Sequence, residues 1–323
     1  MTTVGDSIGD AIDDDATDRY LAVAVAAARA GGAVLIEGLQ RPKQIELKSE
    51  RASIVTWADV TSQAAIFDVI GDAFPAHAIL GEEGVGGAAG SDHTWIVDPL
   101  DGTSNYAHGL PFACVSVALS DPHGVVVGAI FEPFRGELYT AARGRGAWLA
   151  DDAHGSESGG ELRGERLEVS SADSLARALV CTGLQSDDPA QIEAYGRRIV
   201  ALYSSARGTR ALGSPALCLA YVAAGRIDAF LERDATYAWD VAAGSLLITE
   251  AGGRCEDLDG GPLNLGIGVA NVLGSNGLIH DDLAQLIAVT DHSLDRPADQ
   301  PTTDHSFDRP TPDHPTPDHP TGP

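Results

Sequence analysis

Positive charge is scarce in this sequence. Against 47 Asp and Glu it carries 21 Lys and Arg, a formal net charge of -26. A surface with that field repels nucleic acid and anionic membranes, so binding to a phosphate backbone is not the expected activity. Cysteine is sparse too. Cys114, Cys181, Cys218 and Cys255 are scattered with no CxxC pair. That argues against a disulfide framework or a thiolate zinc centre and predicts buried free thiols in a reducing compartment. No run is both long and apolar: the richest, Leu21 to Ile36, is interrupted by Arg29 and reads as too short to cross a bilayer. The amino end offers Asp6, Asp10 and Asp13 to Asp15 where a secretory leader needs positive charge. The expectation is a soluble, cytoplasmic protein with no nucleic-acid and no membrane partner. Three motifs are also missing. Without GxxxxGK[ST] there is no P-loop, without GxSxG no nucleophile elbow, and without D-x-[DN]-x-[DN]-G no EF-hand.

What is present divides into zones. Residues 1–15 are acidic and read as a mobile amino terminus. Residues 16–150 and 151–290 read as two globular halves, separated by a Gly- and Glu-rich loop over 152–166. From 291 to 323 the chain repeats Asp, His and Pro, as in Asp291-His292 and Asp304-His305. Too few apolar groups occur there to offset the entropy of ordering, which predicts a disordered tail.

Within the first half, apolar spacing predicts a helix over Asp18–Leu39, with Leu21, Val25, Ala28 and Leu35 on one face, and a second over Thr61–Gly71. Strands are expected at Thr94–Asp98, Val115–Leu119, Val125–Phe131 and through Leu138–Leu149. The second half alternates: strands at Ala178–Thr182, Ala206–Leu212 and Ile227–Leu231, and helices at Ala190–Tyr203, from Ser214, and over Trp239–Ala251. Pro215 suits a first helical turn, with Ser214 as its N-cap. Mixed strands and helices, more antiparallel in the first half, indicate layered α+β and α/β halves.

Carboxylates carry the chemistry. Asp98-Pro99-Leu100-Asp101-Gly102-Thr103-Ser104-Asn105 places two acids three apart on a constrained turn after an apolar strand. Such a turn can aim both side chains and the Leu100 carbonyl at one hard cation. It is equally the pattern of an Asx turn with solvated carboxylates. A helix beginning at Thr103 would add backbone N–H groups for a phosphate. Gly81-Glu82-Glu83-Gly84 puts paired acids at a strand end, and Trp239-Asp240-Val241-Ala242-Ala243-Gly244 puts Asp240 in a first helical turn, where the helix dipole alone would favour it. All three together point to a metal site.

These motifs resemble the inositol monophosphatase family of magnesium-dependent, lithium-sensitive phosphatases. The resemblance extends to Lys48, to Thr56-Trp57-Ala58-Asp59 and to Gly213-Ser214-Pro215 over roughly residues 18–290, with Trp57 bulkier than the family pattern. It implies a layered αβαβα sandwich of the inositol monophosphatase and fructose bisphosphatase type. It also implies two or three Mg²⁺ per active site, held by Glu82, Asp98, the Leu100 carbonyl, Asp101 and Asp240. Thr103, Asp59 and Glu82 would be the catalytic set acting with metal-activated water, and the substrate contacts would be Gly102, Thr103, Gly213, Ser214, Glu232 and Asp240. Glu232 stands one residue further from Asp240 than in the family, so Asp234 is the alternative contact. The implied reaction is hydrolysis of a small phosphate monoester by a homodimer, inositol 1-phosphate foremost. Histidinol phosphate, fructose 1,6-bisphosphate and 3′-phosphoadenosine 5′-phosphate are the alternatives, and a metal-binding regulatory protein is the non-enzyme one.

Overall fold

The computed structural model describes residues 14–39, 41, 45–47, 54–151 and 164–292. Lys48, the residues before Asp14, the loop over 152–163 and the Asp/His/Pro tail from 293 lie outside them. The Ala-rich stretch forms α1 (Asp14–Gly38), beginning inside the span read above as the mobile amino terminus. At 25 residues this helix is long and apolar enough to cross a membrane, contrary to the expectation from its interrupted core. It packs instead on a sheet through Ala24, Val25, Ala28 and Leu35, and its first turns are tied down where Arg145 pairs with Asp14 and Asp18.

The antiparallel pair β1 (Ile45–Leu47) and β2 (Ile54–Thr56) leads into α2 (Trp57–Ala73). Thr56 starts that helix through a reciprocal cap: its hydroxyl accepts from the Ala58 N–H at 3.2 Å, and its own N–H donates to Asp59 at 2.7 Å. The guanidinium of Arg41 lies 4.1 Å over the ring of Trp57, the bulky residue of the motif.

The strands β3 (Ala78–Gly81), β4 (Gly84–Gly87) and β5 (Thr94–Asp101) precede a single helical turn, α3 (Thr103–Ala107). Then come β6 (Cys114–Asp121), β7 (Gly124–Glu132), β8 (Glu137–Ala142), β9 (Ala147–Asp151) and β10 (Glu165–Arg166). They form one sheet in the order β10-β9-β8-β7-β6-β5-β3-β4, antiparallel except where β3 meets β5. Because β10 pairs back onto β9, the chain leaves this sheet after Arg166 and not at 151.

The rest alternates: β11 (Leu179–Thr182), α4 (Pro189–Ser205), β12 (Gly208–Arg210), α5 (Pro215–Ala223), β13 (Ala229–Glu232), α6 (Ala238–Glu250), β14 (Arg254–Glu256), β15 (Val272–Ser275) and α7 (His280–His292). The second sheet runs β12-β11-β13-β15-β14, its first three strands parallel. Asp291 and His292, read above as the start of the tail, are the last turn of α7. Asp291 is held there by Arg198 at 2.7 Å.

Period-two patterning sorts the side chains into layers. On β5, Trp95 and Val97 face α1 and α2 while Ile96 faces α5 and α6; on β13, Phe230 joins the α5/α6 core while Ala229 and Leu231 face α4 and α7. The result is a five-layered αβαβα sandwich, helix pairs α1/α2, α5/α6 and α4/α7 alternating with the two sheets. Between α6 and β7 the backbones nearly touch. A Cβ on Gly128 would lie 3.0 Å from the Ala243 Cα. Gly128→Val should therefore destabilise the protein by about 1–3 kcal/mol through overpacking. Gly71→Ala, in α2 with open space around it, should instead add about 0.5–1 kcal/mol. Denaturant midpoints of both variants measure the contrast.

Candidate active site

On a regular strand, residues three apart point to opposite faces. Asp98 and Asp101 avoid that because the β5–β6 register shifts between them: Asp98 pairs with Ser116, Asp101 with Cys114, so two residues on β5 oppose one on β6. Pro99, lacking an N–H, occupies the irregular position without leaving a ladder donor unmade. Ser62 donates to the Pro99 carbonyl at 2.8 Å, and the Leu100 N–H donates to Asp98 at 2.9 Å. The Asx hydrogen bond is thus present, but the carboxylates are not solvated: Asp98 is 1% and Asp101 4% exposed.

Gly102 then turns the chain with φ 92°, a conformation that disfavours a side chain, and any Cβ there would press within 3.0 Å of the Phe112 carbonyl. Asn105 fixes this turn by donating to the carbonyls of Phe112 (2.9 Å) and Leu212 (2.7 Å), which joins it to the Gly213 segment of the second half.

Asp101 reaches across to the start of α5. Its carboxylate accepts from the Ser214 hydroxyl and, at 2.8 Å, from the Ala216 N–H. Ser214 therefore makes no side-chain cap for its own helix, and its hydroxyl, expected as a substrate contact, braces Asp101. Asp240 sits at the third position of α6 and accepts from the Tyr237 N–H at 2.6 Å. One carboxylate oxygen each of Asp98, Asp101 and Asp240 lies within 4.8 Å of the others. Glu82, at the end of β3, lines the same cavity but stands outside this tight group, acting on Asp98 and Asp240 through its charge.

Burial and mutual repulsion raise the Asp98 and Asp240 carboxyls well above the usual range. Burial also raises Asp101, but its hydrogen bonds at α5 hold it to about 6. An all-oxygen set with this much unrelieved negative charge fits a hard divalent cation. Leu100 lines the cavity, and its carbonyl accepts from the Thr103 hydroxyl at 3.0 Å; the same hydroxyl lies 3.0 Å from Asp59. Asp59 is buried, which raises its carboxyl despite the donors from Thr56 and Thr103.

The cavity, about 850 Å³, brings together Glu82, Asp98, Leu100, Asp101, Gly102, Thr103, Gly213, Ser214, Glu232, Asp234 and Asp240, so both Glu232 and its alternative belong to it. Asp59 is not among the lining residues and is linked to the cavity by its hydrogen bond from Thr103. The sequence reading missed the wall from Gly183 to Asp187 with Ile192, and the rings of Tyr237 and Trp239. A signal for the first existed: the parallel strands β11 and β13 end here, at Thr182 and Glu232, where open α/β sheets bind ligands.

A model of the inositol monophosphatase family matches residues 16–291 of the chain. Inositol monophosphatase 2 of Solanum lycopersicum is 38% identical over 254 residues, covering 77% of this chain and 91% of the relative. The Nus factor SuhB of Pseudomonas aeruginosa is 38% identical over 246 residues, covering 74% and 86%. Among solved structures, the IMPase of Thermotoga maritima superposes with a TM-score of 0.73 at 33% identity, covering 85% of this chain and 98% of that one.

Raised carboxyls have a consequence for stability. The native state holds protons on Glu232 (raised to about 8), Glu132 (to about 7) and Asp101 (to about 6), all pushed up chiefly by burial, that the unfolded chain releases. Stability in EDTA should therefore rise as pH falls from 8.5 to 6.5. Saturating divalent cation should raise the melting temperature most at the alkaline end and flatten that slope, which thermal unfolding with and without Mg²⁺ measures.

Proposed function

The chain belongs to the inositol monophosphatase family of phosphoric monoester hydrolases, and from that premise we propose that it hydrolyses inositol 1-phosphate and related small monoesters with two or three Mg²⁺ per site. The carrying observation is the convergence of Asp98, Asp101 and Asp240 beside Thr103 in one cavity. Glu82, Asp98, the Leu100 carbonyl, Asp101 and Asp240 are the proposed ligands. When bound, the cations supply Lewis acidity to the attacking water and the leaving oxygen, and they offset the field of an otherwise acidic pocket.

The chain's own groups position the reaction. The Thr103 hydroxyl has a single proton to share between Asp59 and the Leu100 carbonyl, both at 3.0 Å. Donation to Asp59 leaves an oxygen lone pair free to accept a hydrogen bond from water, so Thr103 orients the nucleophile and Asp59 orients Thr103. Glu82 completes this catalytic set at the cavity wall. Backbone N–H groups of Gly102 and Thr103 serve as donors to the phosphate oxygens. The alcohol falls to Gly213, Ser214, Glu232 and Asp240, with Asp234 beside them. Homodimeric assembly, a cytoplasmic location and two globular halves along the chain complete the reading. A metal-binding regulatory role without catalysis is the second reading, since the Nus factor SuhB relatives share the scaffold.

Phosphate release from inositol 1-phosphate, histidinol phosphate, fructose 1,6-bisphosphate and 3′-phosphoadenosine 5′-phosphate tests this. Release is expected with Mg²⁺, none with EDTA, and none from Asp98→Asn. Thr103→Ala should lower kcat by about 10²–10⁴-fold, with Thr103→Ser recovering much of it. Folded, Mg²⁺-binding protein that releases phosphate from none of the four would favour the regulatory reading.

A further inference from the structure

Of the proposed cation ligands, Asp101 and Asp240 are held at helix starts and Asp98 by the N–H of its own turn. Glu82 has a different setting. It belongs to the two-residue loop between β3 and β4, where Gly81 pairs with Gly84. β4 is the edge strand of its sheet and reads Gly-Val-Gly-Gly. Such a strand has little side-chain packing and much backbone freedom, so it is a poor support for a ligand. Yet of the loop's two acids only Glu82 lines the cavity. What aims it inward must come from outside the hairpin.

Two backbone donors of the loop are taken up by neighbouring elements. The Glu82 N–H donates to the Val97 carbonyl of β5 at 3.2 Å, and the Glu83 N–H donates to the side-chain oxygen of Gln63 on α2 at 2.9 Å. A Cβ on Gly81 would overlap that same Gln63 oxygen, so the amide lies directly against the backbone of the turn. One helical turn further along α2, the Phe67 ring lies where a Cβ on Gly86 would meet it at 3.0 Å. Gln63 and Phe67 thus hold the hairpin from one side of the helix.

Gln63 also completes a pattern on α2. Asp59, Ser62 and Gln63 stand at positions i, i+3 and i+4, which are neighbours on a helix surface. Asp59 accepts from the Thr103 hydroxyl at 3.0 Å, and Ser62 donates to the Pro99 carbonyl at 2.8 Å. Gln63 takes the third segment, the loop that carries Glu82. One helix face therefore sets the nucleophile-orienting threonine, the bulge with Asp98 and Asp101, and the Glu82 loop in common register. A neutral amide does this without adding another charge to carboxylates that already repel one another.

We propose that Gln63 is the positioning residue for Glu82: by holding the Glu83 N–H it sets where the Glu82 carboxylate stands, and with that the affinity of the cation that Glu82 helps to hold. This rests on the metal-dependent phosphatase reading above and adds to it a residue that touches neither cation nor substrate. Partners that orient a metal ligand from behind change affinity by about 10–100-fold when they are lost.

Calorimetric titration of the full chain with Mg²⁺, without substrate, tests this. Gln63→Met keeps the length of the side chain and removes the acceptor. It should weaken Mg²⁺ binding by about tenfold or more. Gln63→Glu, which keeps an acceptor for the Glu83 N–H, should recover most of that loss. In a Glu82→Gln background the ligand to be positioned is gone, so Gln63→Met should change the remaining affinity by less than about twofold. A merely structural role would lower the melting temperature and leave no such dependence on Glu82. Gln63→Ala, well suited to a helix, repeats the comparison so that the result does not hang on how one variant folds. Unchanged Mg²⁺ affinity in folded Gln63→Met and Gln63→Ala overturns the inference, as does an equal loss in the Glu82→Gln background. Phosphate release from inositol 1-phosphate by the unaltered chain, measured alongside, leaves the phosphatase reading standing in both cases. An unaltered chain that binds no Mg²⁺ and releases no phosphate overturns the two together.

Discussion

Buried carboxylates of like charge repel one another, and the site exists because helix starts hold them. Asp59 caps α2, Asp101 accepts from the first turn of α5, and Asp240 caps α6. Each carboxylate meets backbone N–H groups at the positive end of a helix, an arrangement worth some tenths of a kcal/mol to about 2 kcal/mol when partly buried. Those contributions offset the repulsion in part and leave a remainder that favours a divalent cation. The sandwich is arranged around this requirement: α2 lies in the outer layer, α5 and α6 between the sheets, and their amino ends converge on the bulged end of β5.

That convergence also decides which substitutions act locally. Ser214 and Asn105 contribute no charge, yet one steadies Asp101 from the second half of the chain and the other ties the Gly102 turn to Leu212. Thr103 and Asp59 come from separate elements and meet only when α2 and β5 pack, with Ser62 bridging α2 to the bulge. The Thr103–Asp59 and Asp101–Ser214 pairs are therefore tertiary contacts as well as parts of the site.

Much of this was legible beforehand because its signals are local. The Asp98 to Asn105 stretch, the Gly81 to Gly84 turn and the Trp239 to Gly244 helix start announced their carboxylates through spacing and through Pro and Gly punctuation. The helices at Asp18–Leu39 and Thr61–Gly71 were visible in their apolar spacing and were observed as α1 and α2, somewhat longer. What stayed hidden depends on distant partners. Ser214 had the marks of an N-cap, and only the fold brings Asp101 to compete for its hydroxyl. The apolar length of α1 was underestimated because charge at Arg29 interrupts an apolar run without interrupting a helix, and its start at Asp14 fell among acidic residues that read as a mobile terminus. The Tyr237–Trp239 pair has no periodicity to betray it, since its stacking comes from a single turn.

Gly128 touches nothing that reacts, yet it fixes how near α6 lies to the first sheet, because the Ala243 backbone rests against the place where its side chain would be. Ala243 is one helical turn from Asp240. The depth of a site carboxylate is thus set by a missing methyl group on the opposite layer. A side chain at position 128 would press α6, and the Asp240 it carries, away from the sheet, so a residue with no reacting group of its own sets where a reacting group stands.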